Sequence, residues 1–141
     1  KNDLYNALQD TLDNTPAYDV KLLIGDLNAH LDNNRAGFDR EVGPFGTAES
    51  TNTNGSRLLS FCQANNLCVG NTFFAHKIIH KKTWISPDTK TENEIDFICI
   101  DNRRKSSLQD VRVFRGADVG SDHHLLVGEV RIRLKNRVKN N

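Results

Sequence analysis

Apolar residues in this chain come in short clusters separated by polar stretches, and the spacing inside each cluster names an element. Leu4, Leu8 and Leu12 recur at i, i+4 and i+8 behind an acidic first turn at Asp3, which predicts a helix over residues 2–12 that Pro16 closes off. Val20-Lys21-Leu22-Leu23-Ile24 is a short apolar run ended by Gly25, the pattern of a buried strand. Residues 31–56 are dominated by Asn, Asp, Gly, Thr and Ser and read as a long surface loop; a loop of that length inside a domain is usually functional. A second helix, capped by Asn54, follows with Leu58, Leu59 and Cys62 on one face and ends near Asn65-Asn66. Strands are predicted over 67–74 and 82–86, with turn chemistry at Pro87-Asp88-Thr89-Lys90.

In the strand expected over 94–100, Ile95, Phe97 and Cys99 share one face and Ile98 and Ile100 the other, so both faces are apolar. A further strand is expected over 108–114. The last, over 125–135, alternates: Val130, Ile132 and Leu134 are expected inward and Glu129, Arg131, Arg133 and Lys135 outward. No internal repeat or linker interrupts this series. Residues 1–135 therefore read as one unit and 136–141 as a basic tail.

Composition narrows the class. The chain has 141 residues, 37% hydrophobic and 26% charged, enough apolar material for one core, and no apolar run approaches the roughly 20 residues of a membrane span. It lacks methionine, even at position 1, and reads as an excised or processed piece with no signal segment. Its three cysteines, Cys62, Cys68 and Cys99, form no C-x-x-C pair and fit reduced thiols in an intracellular protein without disulfides. The net charge of +1 conceals a split: residues 1–100 carry 9 Lys and Arg against 13 Asp and Glu, and residues 101–141 carry 10 against 5. A basic end on an acidic body points to a polyanionic partner.

Three polar knots sit against apolar strands. Gly25-Asp26-Leu27-Asn28-Ala29-His30 follows the first strand, and its carboxylate and amide, two residues apart, can both enter one cleft as hard oxygen ligands or phosphate contacts. The same spacing also fits an Asx turn. Asp96 lies at one end of an apolar strand face, where a lone charge is costly, so it calls for a cationic, histidine or metal partner unless the strand end is exposed. Gly120-Ser121-Asp122-His123-His124 places a metal-ligating carboxylate beside a titratable imidazole, or simply opens the last strand as a polar turn.

The order and flanks of these segments resemble a known family. Gly25-Asp26-Leu27-Asn28-Ala29-His30, Thr83-Trp84 with Ser86-Pro87-Asp88, Ile95-Asp96-Phe97-Ile98 and Ser121-Asp122-His123 resemble the endonuclease/exonuclease/phosphatase superfamily. The closest likeness is to the apurinic-type endonuclease domains of non-LTR retrotransposons and their domesticated relatives, such as the craniofacial development protein 2-like sequences. It spans about residues 18–135. Leu27 and Phe97 stand where that family often has Phe and Tyr.

The resemblance implies an α/β (α+β) fold, a four-layer αββα sandwich of which this chain supplies mainly the second, mostly antiparallel sheet and its helices. It implies metal-dependent phosphodiester hydrolysis: a DNA endonuclease nicking strands for a reverse transcriptase in the nucleus, with Mg²⁺, or Mn²⁺, as cofactor. By the same match Asp122 is a metal ligand, Asp26 orients or deprotonates the attacking water, and Asn28 holds the phosphate or a second ion. His123 contacts the scissile phosphate and Asp96 fixes its tautomer. Thr83 and Trp84 fall near the DNA-facing surface, where Trp84 stacks on a base or sugar unless it is a core tryptophan. His76 and His80, with Lys77, Lys81 and Lys82, read as a basic loop near nucleic acid, and His30 and His124 receive no role.

The family's first half, with its glutamate metal ligand, has no counterpart before Asp26. The partner expected for the uncovered sheet face is therefore that missing N-terminal half or a second copy of the chain. Two other functions fit the same residues: a phosphoesterase of inositol phosphates or sphingolipids, and a catalytically inactive truncated module that binds a partner.

Overall fold

The most apolar stretch of the chain is its structural centre. In the computed structural model, which describes residues 2–115 and 122–132, strand β5 (Asp96–Asp101) runs between β1 (Leu22–Asp26) and β2 (Leu67–Val69) as the middle of an antiparallel sheet ordered β1-β5-β2. Alternation along β5 sends Phe97 and Cys99 to one face, where they join Leu58, Leu59 and Cys62 of helix α2 (Thr53–Asn65) with Leu67 and Val69. Ile98 and Ile100 point the other way, to Cys68, Leu108, Val111 and the partly buried Leu126. The two-faced reading of this strand holds. Each fully buried side chain of this size contributes roughly 1.5–3 kcal/mol relative to exposure.

Helix α1 (Asn2–Asp13) closes the first face. Its inward stripe is Tyr5, Leu8 and Leu12 rather than Leu4, which is exposed; Tyr5 meets Phe61 at 5.2 Å between ring centroids. Amide hydrogen bonds between Gln9 and Asn65 tie α1 to the end of α2. The second face is covered by a hairpin of β6 (Leu108–Phe114) and β7 (Leu125–Val130). β7 approaches closely because residue 128 is glycine: a Cβ there would lie 2.8 Å from Cδ1 of Ile98. A small ribbon of β3 (Trp84–Ile85) and β4 (Glu92–Asn93) completes the strands among the described residues. The result is a mixed α+β arrangement of small antiparallel sheets with few helices.

Several expectations are corrected. The apolar run at 20–24 becomes an edge strand rather than a buried one, so Leu22 and Ile24 remain 45% and 62% exposed while Leu23 faces the core. The polar segment before α2 is not simply a surface loop: Ala29, Leu31 and Val42 are core residues, and Val69 donates its N–H to the carbonyl of Glu41. The cap of α2 is Asn52, not Asn54; its Oδ1 accepts from the N–H groups of Gly55 and His30, binding the helix start to the loop. The run at 67–74 breaks after Val69 into a 3₁₀ turn over Gly70–Phe73, and the strand expected over 94–100 begins at Asp96. In β7 the covered positions are Leu126 and Gly128, while Val130 and Ile132, expected inward, are exposed. Residues 133–135 of that predicted strand, Gly120 and Ser121 of the third motif, and the 136–141 tail lie outside the described residues.

Candidate active site

Antiparallel register brings the first two polar knots together. Asp26, the last residue of β1, pairs directly with Asp96, the first of β5, so their carboxylates emerge on the same face at one end of the ladder. Two like charges directly opposite are unfavourable, and the position calls for a cation between them. His123 occupies it. The segment at 122–124 lies against β3: Ile85 N–H donates to the carbonyl of Asp122 at 3.1 Å, His124 N–H donates to that of Thr83 at 2.7 Å, and Trp84 and His123 form a single antiparallel bridge. That placement puts His123 Nδ1 2.7 Å from Oδ2 of Asp96, with Nε2 3.7 Å from Oδ2 of Asp26 and 4.0 Å from Oδ1 of Asp122.

With Nδ1–H donating to the Asp96 carboxylate, Nε2 is left facing the other two carboxylates. The Asp96 hydrogen bond holds the imidazole above its ordinary pKa; the charges of Asp96, Asp26 and Asp122 act the same way, against a partial desolvation that lowers it. Asp26 serves two purposes at once. Its Oδ1 accepts from the N–H of Asn28 at 2.9 Å, the Asx turn, while Oδ2 faces His123. Asn28 adopts a left-handed conformation with φ 48°, and its carbonyl accepts from the side-chain amides of Asn52 and Asn54. The Asn28 side chain is exposed and makes no hydrogen bond to another described residue.

Trp84 is half-buried, and its Nε1–H donates to Oδ2 of Asp122 at 2.9 Å, which orients that carboxylate beside His123. Thr83 departs from its expected place on a DNA-facing surface. It is fully buried, and its hydroxyl oxygen accepts from the N–H groups of Ile95 at 3.0 Å and Asp96 at 3.1 Å. His76 contacts Asp110 at 2.6 Å and belongs to the hairpin side of the fold.

Sequence reasoning missed one residue beneath the site. Asn71 is buried; its Oδ1 accepts from Ile98 N–H, and its Nδ2 donates to the Asp96 carbonyl and to Glu94. Nearby, Lys81 donates to the carbonyls of Asn71 and Phe74 and is pushed below its ordinary pKa by burial. Burial likewise raises the carboxyl of Glu94, which is hydrogen-bonded to Asn71 and Thr47. The signal available in the sequence was a polar amide inside the apolar run from Leu67 to Phe74.

Ligand atoms of Asp26, Asp96 and His123 lie within 4.8 Å of one another, a separation that fits one ion. With His123 Nδ1 engaged by Asp96, the outward donors are carboxylate oxygens, the chemistry of a hard divalent cation.

No protein-family model matches the chain. It is 39% identical over 131 residues to "Craniofacial development protein 2" of Tragulus javanicus, and 39% identical over the same length to the protein of that name from Bos taurus. These alignments cover 93% of this chain and 22% of each relative, so the chain is homologous to a segment of those proteins and spans about a fifth of their length. Among the described residues no helix is long and apolar enough to cross a membrane.

Proposed function

We propose that the chain carries a metal-dependent phosphodiesterase site and that its substrate is DNA, nicked on one strand. The observation behind this reading is a single imidazole set among three carboxylates, His123 with Asp96, Asp26 and Asp122. In this reading Asp96 fixes the proton on Nδ1 and its hydrogen bond favours the protonated imidazole, whose Nε2–H donates to a non-bridging phosphate oxygen as charge develops there. Asp26 orients the attacking water and accepts its proton through the oxygen not used in the Asx turn. Asp26, Asp122 and the exposed amide of Asn28 would hold a Mg²⁺ or Mn²⁺ ion. Such an ion, when bound, supplies Lewis-acid stabilisation of the phosphate. Trp84 acts on this chemistry through Asp122.

The reading extends to architecture. The chain forms the second half of a four-layer αββα sandwich in a nuclear, retrotransposon-type endonuclease. The apolar side chains left exposed on β1 and β7, Leu22, Ile24, Leu125 and Val127, are the surface its first half covers.

The test is conversion of supercoiled plasmid to the nicked form with Mg²⁺ or Mn²⁺, using this chain and one extended at its N-terminus along the sequence of the longer relatives. Nicking is expected to stop with EDTA and to fall about 100-fold or more in Asp122→Ala. An extended chain that is inactive in every metal tested overturns the reading. Release of inorganic phosphate from inositol phosphates without plasmid nicking moves the substrate to phosphomonoesters.

A further inference from the structure

We propose that the end of the molecule remote from Asp26, Asp96 and His123 is a second polyanion-binding surface that grips the phosphate backbone of duplex DNA. The two ends of β5 define the geometry. Asp96 opens the strand at the candidate active site, and Asp101 closes it as the N-cap of a 3₁₀ segment, Asn102–Ser107, roughly 17 Å away at ~3.3 Å per residue. That segment carries Arg103, Arg104 and Lys105 in succession. The chain leaving β7 is pinned to it, because Arg131 N–H donates to the carbonyl of Ser107 at 2.7 Å.

Between them lies a hollow of about 460 Å³ whose polar lining is Arg103, Arg104, Ser106, Ser107, Gln109 and Arg131, with no carboxylate among its lining residues. Asp101, which caps the 3₁₀ segment, is buried and has its oxygens on the backbone N–H groups of Lys21 and Arg104. Arg104 and Arg131 are exposed, and neither guanidinium has a hydrogen-bond or ion-pair partner among the described residues. The sequence continues the charge: Arg131, Arg133, Lys135, Arg137 and Lys139 alternate with uncharged residues, and no acid follows Glu129.

Uncompensated guanidinium forks beside hydroxyl and amide donors suit phosphodiester oxygens, which accept bidentate hydrogen bonds. An anionic membrane would call for exposed aromatic anchors, and the hollow has none among its lining residues. The surface adds affinity and register to a substrate cut elsewhere, and it rests on the reading above only for the choice of DNA as the polyanion.

The experiment is fluorescence anisotropy of a labelled mixed-sequence duplex against the full chain in EDTA, with sodium chloride varied. Each lost phosphate contact lowers the slope of log K against log salt by about 0.9, so Arg104→Ser with Arg131→Ser is expected to reduce it by about 1.8 and to weaken binding roughly tenfold or more at 0.1 M salt. Wild-type affinity and slope in the double variant overturn the proposal even if plasmid nicking is found. A reduced slope supports it even if no metal yields nicking. Binding of phosphatidylserine vesicles through these arginines, with none to duplex, overturns it in favour of a membrane.

Discussion

Replacing Thr83 with valine tests whether the candidate site is held from beneath. The substitution keeps the shape of a fully buried side chain and removes the one atom that accepts two backbone donors, the N–H groups of Ile95 and Asp96. Each buried donor left without a partner costs about 1–3 kcal/mol, and the pair about 2–6 kcal/mol. Burying a methyl instead of a hydroxyl returns roughly 1 kcal/mol, so the expected net loss is about 1–5 kcal/mol. Against a typical domain stability of about 5–15 kcal/mol that is a large fraction. Thr83→Ser is the control. It keeps the oxygen and loses a buried methyl, at a cost of about 1 kcal/mol. Urea unfolding followed by the fluorescence of Trp84, the chain's single tryptophan, gives both numbers. A valine variant within about 0.5 kcal/mol of wild type, or a serine variant that loses more than the valine one, refutes the assignment of Thr83 as the support of Asp96.

Two other outcomes follow from the site and the core. Asp96→Asn removes the main cause of the raised His123 pKa and should return it toward the ordinary value, measurable as the imidazole titration by NMR in metal-free protein. Because the folded value is raised, the stabilisation it brings is fully present below the unfolded value of about 6.5 and is lost as pH rises through the folded one. The stability difference between wild type and Asp96→Asn in EDTA should therefore be widest below about pH 6.5 and narrow above it; a difference independent of pH refutes the pairing. The three thiols are all buried. Burial pushes Cys68 up to about 11, and a hydrogen bond with Cys62 together with burial raises Cys99. Ellman's reagent should react only as the protein unfolds in urea, and a fast reaction of the native protein contradicts the packing of β2 between the two faces.

Much of the local structure was legible from residue spacing. The limits of β6, the extent of α1 to within a residue and the opposite faces of β5 all follow from periods of 3.6 and 2, which depend only on backbone geometry. The demand of Asp96 for a partner was also readable, since a carboxylate at the end of an apolar face has few inexpensive environments, and His123 Nδ1 lies 2.7 Å away. Less was legible at Thr83 and Asn71. Both look like ordinary polar residues within predicted strands. Their importance depends on which backbone groups they meet across 12 and 27 residues of sequence, at Ile95 and Ile98.

By itself, then, the sequence determined the alternation of the strands, the helical stripes and the set of residues able to bear charge. Tertiary structure decided which alternating faces found a neighbour. Leu126 and Gly128 lie against Ile98, while Ile24 and Ile132, equally apolar, stay exposed. It also decided that Asp26 and Asp96 stand opposite each other and that His123 closes the gap. The physical reason is that periodicity is a property of one segment, whereas burial and charge pairing are properties of two segments brought together, and strand register is set only when they meet.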